Sequence, residues 1–145
     1  EQGRNPVYYV SSSPWNMHAF LAQVFNQAEL LRGPMFLRDL GLSETQFISA
    51  GHGSHKGQSI GILLKAHPEL TAILIGDTGQ EDASVYCAAV RRHPGRIAAV
   101  LIRISEDGLS TNDERGLAEL KDTGVMVFAG SSFQSAILKM EREVF

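Results

Sequence analysis

A chain of 145 residues, 43% hydrophobic and 20% charged, suffices for one domain with an ordinary buried core. A formal net charge of −3 provides no basic footprint for nucleic acid, and no apolar run is long enough to cross a bilayer. The single cysteine, Cys87, has no internal disulfide partner and lies among apolar residues, as a core thiol in a reducing compartment does.

The chain starts at Glu1 without a methionine and reaches its first strand at Val7, so it reads as an excised or processed piece. Val7–Val10 is a β-rich run that stops at Ser11-Ser12-Ser13-Pro14. Ser13 before Pro14 predicts a helix start, with a hydroxyl N-cap and proline in the first helical position. Met17, Phe20, Leu21, Val24, Phe25, Ala28 and Leu31 follow at helical spacing. Gly33-Pro34 ends that pattern, and Met35–Leu37 reads as a short strand leading into Arg38-Asp39. From Leu40 to Gly53 the sequence is polar and glycine-rich and is expected to be irregular, a connection long enough to suggest function. Ile60, Leu63 and Leu64 mark a helix from His55 to Ala66, weakened by Gly57 and Gly61 and ended by Pro68.

Leu70–Ile75 is the next strand and Asp82–Arg92 the next helix, stopped by His93-Pro94-Gly95. Ile97–Ile102 is a further apolar strand. Thr111-Asn112-Asp113-Glu114 predicts a capping box and a helix ending at Gly124. Val125–Phe128 is the last strand, and Ser131 to Glu143 the last helix. Strands alternate with helices and are continuously apolar, which predicts one α/β domain over residues 1–145, its parallel sheet covered on both faces.

The most informative stretch is Ile73-Leu74-Ile75-Gly76-Asp77, with a second carboxylate, Asp82, where a helix begins. Ligands of open parallel sheets bind beyond the carboxyl ends of the strands. Two carboxylates there can hold a hard cation such as Mg²⁺, bridged to a phosphate. They also suit a turn and a helix N-terminus without any ligand. Ser11, Ser12 and Ser13, Arg38-Asp39 and, from its helix, Lys56 reach the same edge. Hydroxyls, lysine, arginine and paired carboxylates together describe a phosphate site with a metal, although each alone has an ordinary structural role.

Other motifs are weaker. Gly51–Gly57 fails the Walker spacing. His52 and His55 stand three apart without a cysteine to complete a zinc site. Asp77-Thr78-Gly79 is the tripeptide of aspartic proteases, but those are all-β proteins with two such aspartates. No glycine fingerprint follows the first strand, so a nucleotide-binding domain ranks last.

Tyr9-Val10-Ser11-Ser12-Ser13-Pro14-Trp15-Asn16, Leu37-Arg38-Asp39, His55-Lys56 and Ile75-Gly76-Asp77-Thr78-Gly79-Gln80-Glu81-Asp82 follow in an order that resembles the phosphatidate phosphatases of the yeast actin-patch type. His93-Pro94-Gly95-Arg96-Ile97 and Ile102-Arg103 continue the likeness, which runs from about Tyr8 to Arg103. That family belongs to the haloacid dehalogenase superfamily, so the resemblance implies a three-layer, Rossmann-like parallel sheet. By position, Ser11 resembles the hydroxyl that binds a phosphoryl oxygen, with Ser12 and Ser13 close enough to be confused with it. Lys56 resembles the lysine that neutralises nucleophile and phosphate, and Arg38 a phosphate contact. Asp77 and Asp82 resemble the Mg²⁺ ligands. A phosphomonoester substrate, a lipid phosphate at a membrane surface, and a cytoplasmic location are implied with them.

One departure is large. The family's nucleophile is the first Asp of an Asp-x-Asp-x-Thr motif on a strand preceding all of these. Before Ser11 this chain has only Glu1, and its first Asp is Asp39. The chain is therefore expected to be an inactive C-terminal part of a phosphatase domain that lacks the central first strand. The strands ending at Ser11 and Asp77 then pair directly, leave a gap, or borrow a strand, as in a homo-oligomer. The alternative is a non-catalytic module that keeps the fold and binds a phosphorylated ligand or a protein.

Overall fold

The structure, a computed structural model, describes residues 5–38, 52–134 and 136–138, with side chains in the second stretch from residue 55 onward. The expected irregular segment lies outside the described residues except at His52 and Gly53, as do Asp39 and the end of the last expected helix. The chain divides into two compact units, Glu1–Ser59 and Ile60–Phe145.

In the first unit, β1 (Tyr9–Pro14) pairs in parallel with β2 (Met35–Arg38), and α1 (His18–Gln27) connects them after a 3-10 turn at Trp15–Met17. Tyr9 anchors this crossover: its ring packs on Phe25 at 4.6 Å, and its hydroxyl donates to the Leu31 carbonyl at 2.7 Å. Gly33 lies so close to the Val7 carbonyl that a Cβ there would overlap it, which explains a glycine rather than mere flexibility.

The expected helix start at Ser13 is corrected. Ser11–Pro14 stay in the strand, and Pro14 is the N-cap of the 3-10 turn, with no side-chain cap. Register explains why: Val10 faces Phe36 but Pro14 faces Arg38, so three serines bulge opposite one residue of β2. The hydroxyls of Ser11 and Ser13 bond to each other within the bulge instead. Helix α1 also stops earlier than the apolar spacing suggests. Glu29 turns left-handed (φ 54°), with Leu30 N–H bonding Phe25 O and Glu29 N–H bonding Asn26 O, a Schellman ending.

Helix α2 (His52–Ala66) starts three residues before the expected His55. Its glycines lower helix propensity but do not stop it, since burial of Ser59, Ile60 and Leu64 outweighs about 1 kcal/mol per glycine. His52–Ser59 fall in the first unit and Ile60–Ala66 in the second.

The second unit is a three-stranded parallel sheet in the order β3 (Ala72–Asp77), β4 (Ile97–Arg103), β5 (Met126–Gly130). Between them run α3 (Asp82–Arg92) and α4 (Thr111–Asp122). Central β4 is buried on both faces. Val100 and Ile102 pack with Ile60, Leu64, Val85, Tyr86, Leu117 and Leu120, while Ala99 and Leu101 meet Ala136, Phe133 and Phe128. Complete burial of such aliphatic side chains contributes about 1.5–3 kcal/mol each, and it produces the continuous apolar run legible in the sequence. Gly116 lets α4 approach α3 closely, since a Cβ there would stand 3.0 Å from Ala83 Cβ. The capping box of α4 is one residue earlier than expected: Ser110 is the N-cap and Asp113 its partner.

The protein is thus α/β with parallel strands and helices between them. Strand β1 belongs to the two-stranded sheet and β3 to the three-stranded one.

Candidate active site

Strand β3 carries the chain to Asp77, its last residue, rather than releasing it at Ile75. Asp77 then nucleates a tight turn, its Oδ1 accepting the Gly79 N–H at 2.9 Å. A 3-10 turn over Thr78–Gln80 and a left-handed Glu81 (φ 57°) bring Asp82 to the start of α3. A non-glycine residue in that conformation is strained by about 1–2 kcal/mol. The strain doubles the chain back, so that Asp82 Oδ2 accepts the backbone N–H of Asp77 at 3.2 Å. Asp82 is 3% exposed, a buried carboxylate beside the end of its own preceding strand.

Gly76 makes this possible. A Cβ at that position would overlap Asp82 Oδ2 and stand 2.8 Å from the Tyr86 hydroxyl. Tyr86 lies one turn after Asp82 and donates to the Ile75 carbonyl at 2.8 Å. Burial pushes its hydroxyl well above the usual 10.0, and the negative charges of Asp82 and Asp77 push it further. A second clasp joins the turn to the loop after β4. Thr78 Oγ1 accepts the Ser105 N–H at 3.1 Å and lies 3.1 Å from Ser105 Oγ.

The remaining sequence-derived candidates lie in the first unit. Ser11 Oγ accepts the Ser13 N–H at 3.1 Å and donates to Ser13 Oγ at 3.0 Å. Ser12 Oγ is enclosed, with no hydrogen-bond partner among the described residues. Arg38 ends β2 in register with Pro14, so serine bulge and arginine share one strand edge. Lys56 is 8% exposed. Its neighbour His55 places Nε2 3.4 Å from the Phe36 carbonyl, bringing the start of α2 beside β2. The structure therefore brings Ser11, Ser12, Ser13 and Arg38 together in one unit, and Asp77 with Asp82 in the other.

Gly76, Thr78, Tyr86 and Ser105 were not legible as site residues. Tyr86 had a signal, since i and i+4 residues share a helix face and Asp82 is its partner. The loop contact between Thr78 and Ser105 had none.

The donor set at β3 is all carboxylate, which suits a hard cation. Among the described residues no cluster of three or more His, Cys, Asp or Glu forms a cage.

Residues 1–104 match the family described as "Phosphatidate phosphatase APP1, catalytic domain". The chain belongs to that family. Phosphatidate phosphatase APP1 of Saccharomyces cerevisiae is 30% identical over 118 residues, 79% of this chain. The chain spans only about a fifth of that relative, 20% of its length. No solved structure matches. The match ends just after β4 (Ile97–Arg103), so it takes in Ser11, Lys56, Asp77 and Asp82 and leaves α4 and β5 outside.

Proposed function

We propose that this chain carries the phosphate- and metal-binding half of a Mg²⁺-dependent phosphomonoester hydrolase of the haloacid dehalogenase type, acting on phosphatidate. The observation that carries the proposal is the Gly76-Asp77…Asp82 turn: two carboxylates on one strand end, one of them buried. Family membership supports it independently.

In this reading Asp77 and Asp82 hold Mg²⁺, which when bound supplies positive charge to the phosphoryl oxygens. Ser11 donates its hydroxyl to one of those oxygens, with Ser12 and Ser13 in the same bulge as further donors. Lys56 neutralises charge on nucleophile and phosphate, and Arg38 contacts the substrate phosphate. No Asp precedes Asp39 in the sequence, so the attacking carboxylate is contributed from outside these residues and the 145-residue chain alone is inactive. The substrate is reached at a membrane surface from the cytoplasm. Among the described residues no helix is long and apolar enough to cross a membrane.

The test is phosphate release from phosphatidate by the full-length protein with and without Mg²⁺, beside the 145-residue chain. Activity in the former only, lost on chelation and abolished in Asp77→Asn, is expected. Full activity of Asp77→Asn overturns the assignment. The missing Asp also favours a second reading, a non-catalytic module that binds a phosphorylated ligand. A full-length protein that binds inorganic phosphate but releases none from any phosphomonoester decides for it.

A further inference from the structure

In the second unit, β3 and β4 (Ile97–Arg103) end together, and their last residues are Cα partners: Asp77 opposite Arg103. Partner residues of adjacent parallel strands point to the same face of the sheet about 4.8 Å apart. That face is the one carrying Ile73, Ala99 and Leu101, whereas Gly76 turns to Asp82 and Tyr86 on the other. Arg103 is exposed, and among the described residues it makes no ion pair or hydrogen bond. A guanidinium beside a carboxylate that does not engage it is available to a second anion.

A separate observation fixes its position. Thr78, the residue after Asp77, is bonded to Ser105, two residues after Arg103, through both the Ser105 N–H and its hydroxyl. The two strand ends are clamped immediately beyond the Asp77–Arg103 pair. The backbone at Arg103 is therefore tied to that at Asp77, and an arginine there has the planar fork that suits bidentate contact with phosphate.

We propose that Arg103 is a substrate-binding residue that contacts the phosphoryl group beside Asp77. This rests on the phosphatase reading and adds a phosphate ligand from β4 beside Asp77 at the end of β3. As the register partner of Asp77, Arg103 stands on the face of the sheet on which Asp77 lies. Arginine there favours a phosphomonoester dianion over a singly charged diester.

The experiment compares wild-type full-length protein with Arg103→Ala and Arg103→Lys. Hydrolysis of a soluble short-chain phosphatidate is measured with Mg²⁺, and binding of inorganic phosphate by calorimetry. KM and the phosphate dissociation constant should both rise about tenfold or more in Arg103→Ala, with kcat changed far less. Arg103→Lys should recover part of the loss, since it keeps the charge without the fork. Unchanged KM and phosphate affinity in Arg103→Ala, with Asp77→Asn inactive, overturns the role of Arg103 and leaves the phosphatase reading standing. A lowered melting temperature with unchanged phosphate affinity assigns Arg103 to the fold and overturns the proposal equally. Wild-type protein that hydrolyses no phosphomonoester overturns the phosphatase reading itself.

Discussion

Asp82 Oδ2 accepts the backbone N–H of Asp77 at 3.2 Å, so the last residue of β3 and the first of α3 (Asp82–Arg92) form one hydrogen-bonded unit. The carboxylate occupies space that any side chain at Gly76 would take. Gly76→Ala should therefore act through Asp82. Overpacking at such a contact costs about 1–3 kcal/mol, and here it also displaces a proposed metal ligand. Urea unfolding should show the loss, and Mg²⁺ titration a weakened affinity. Gly57→Ala is the contrast, because nothing lies within 4 Å of a Cβ there. In the interior of α2 (His52–Ala66) it should stabilise by roughly 0.5–1 kcal/mol.

Tyr86 provides a test by pH. Its hydroxyl is held above its ordinary 10.0 in the folded protein by burial first, then by Asp82 and Asp77. A raised folded pKa means the native state keeps a proton that the unfolded chain loses. The contribution is whole below pH 10 and is lost as pH rises from there through the folded value, with a limiting slope of about 1.4 kcal/mol per unit. The stability difference between wild type and Tyr86→Phe should thus be constant up to pH 9 and shrink above 10. Near neutral pH the variant, lacking the bond to Ile75, should be less stable by about 1 kcal/mol. A difference independent of pH contradicts the assignment.

What the sequence revealed and what it hid follow from the range of the forces involved. Strand β3 and helix α3 were legible because an apolar run ending in Gly-Asp, then a carboxylate before a helical pattern, are local signals. The serine bulge was not. Ser13-Pro14 looks like a helix start, and only pairing with β2 (Met35–Arg38) keeps those residues extended. At α4 (Thr111–Asp122) two overlapping frames, Ser110 with Asp113 and Thr111 with Glu114, both fit a capping box. The choice is made where Asp113 Oδ2 accepts the Ser110 N–H at 2.9 Å. Of the site, the ionisable residues were readable as types and spacing. Of the groups that hold them, Gly76 and Tyr86 act through the turn from β3 into α3, whose geometry no periodicity displays, and the Thr78–Ser105 clasp joins segments 27 residues apart.

Arg96 illustrates how a motif residue serves the fold. Its Nη2 donates to the carbonyls of Leu64 at 2.9 Å, His67 at 2.8 Å and Leu70 at 3.0 Å. These acceptors lie at the end of α2 and in the turn leading to β3, where the last carbonyls of the helix and the negative end of its dipole favour a cation. Arg96→Ala should destabilise by about 2 kcal/mol, from the loss of charge-assisted bonds to partly buried acceptors. Arg96→Lys should recover only part, because the ammonium lies one bond nearer the backbone than Nη2 and falls short of the three carbonyls. Thermal melting of both variants, with hydrogen exchange at Leu70–Ala72, checks the size and the place of the loss.

Glu29 is the converse case, a position where the natural residue costs stability. It ends α1 (His18–Gln27) in the left-handed conformation, the C′ position of a Schellman motif normally held by glycine. Its side chain is exposed. Replacing it with glycine removes a backbone strain of about 1–2 kcal/mol, less the greater entropy that glycine loses on folding. Glu29→Gly should therefore raise stability by roughly 0.5–1 kcal/mol. Glu29→Ala, which retains a Cβ, should not. Chemical denaturation of the two variants side by side separates relief of strain from simple removal of a negative charge near the helix C-terminus, since both remove the charge and only glycine frees the backbone. Equal stabilisation by alanine and glycine would assign the effect to charge.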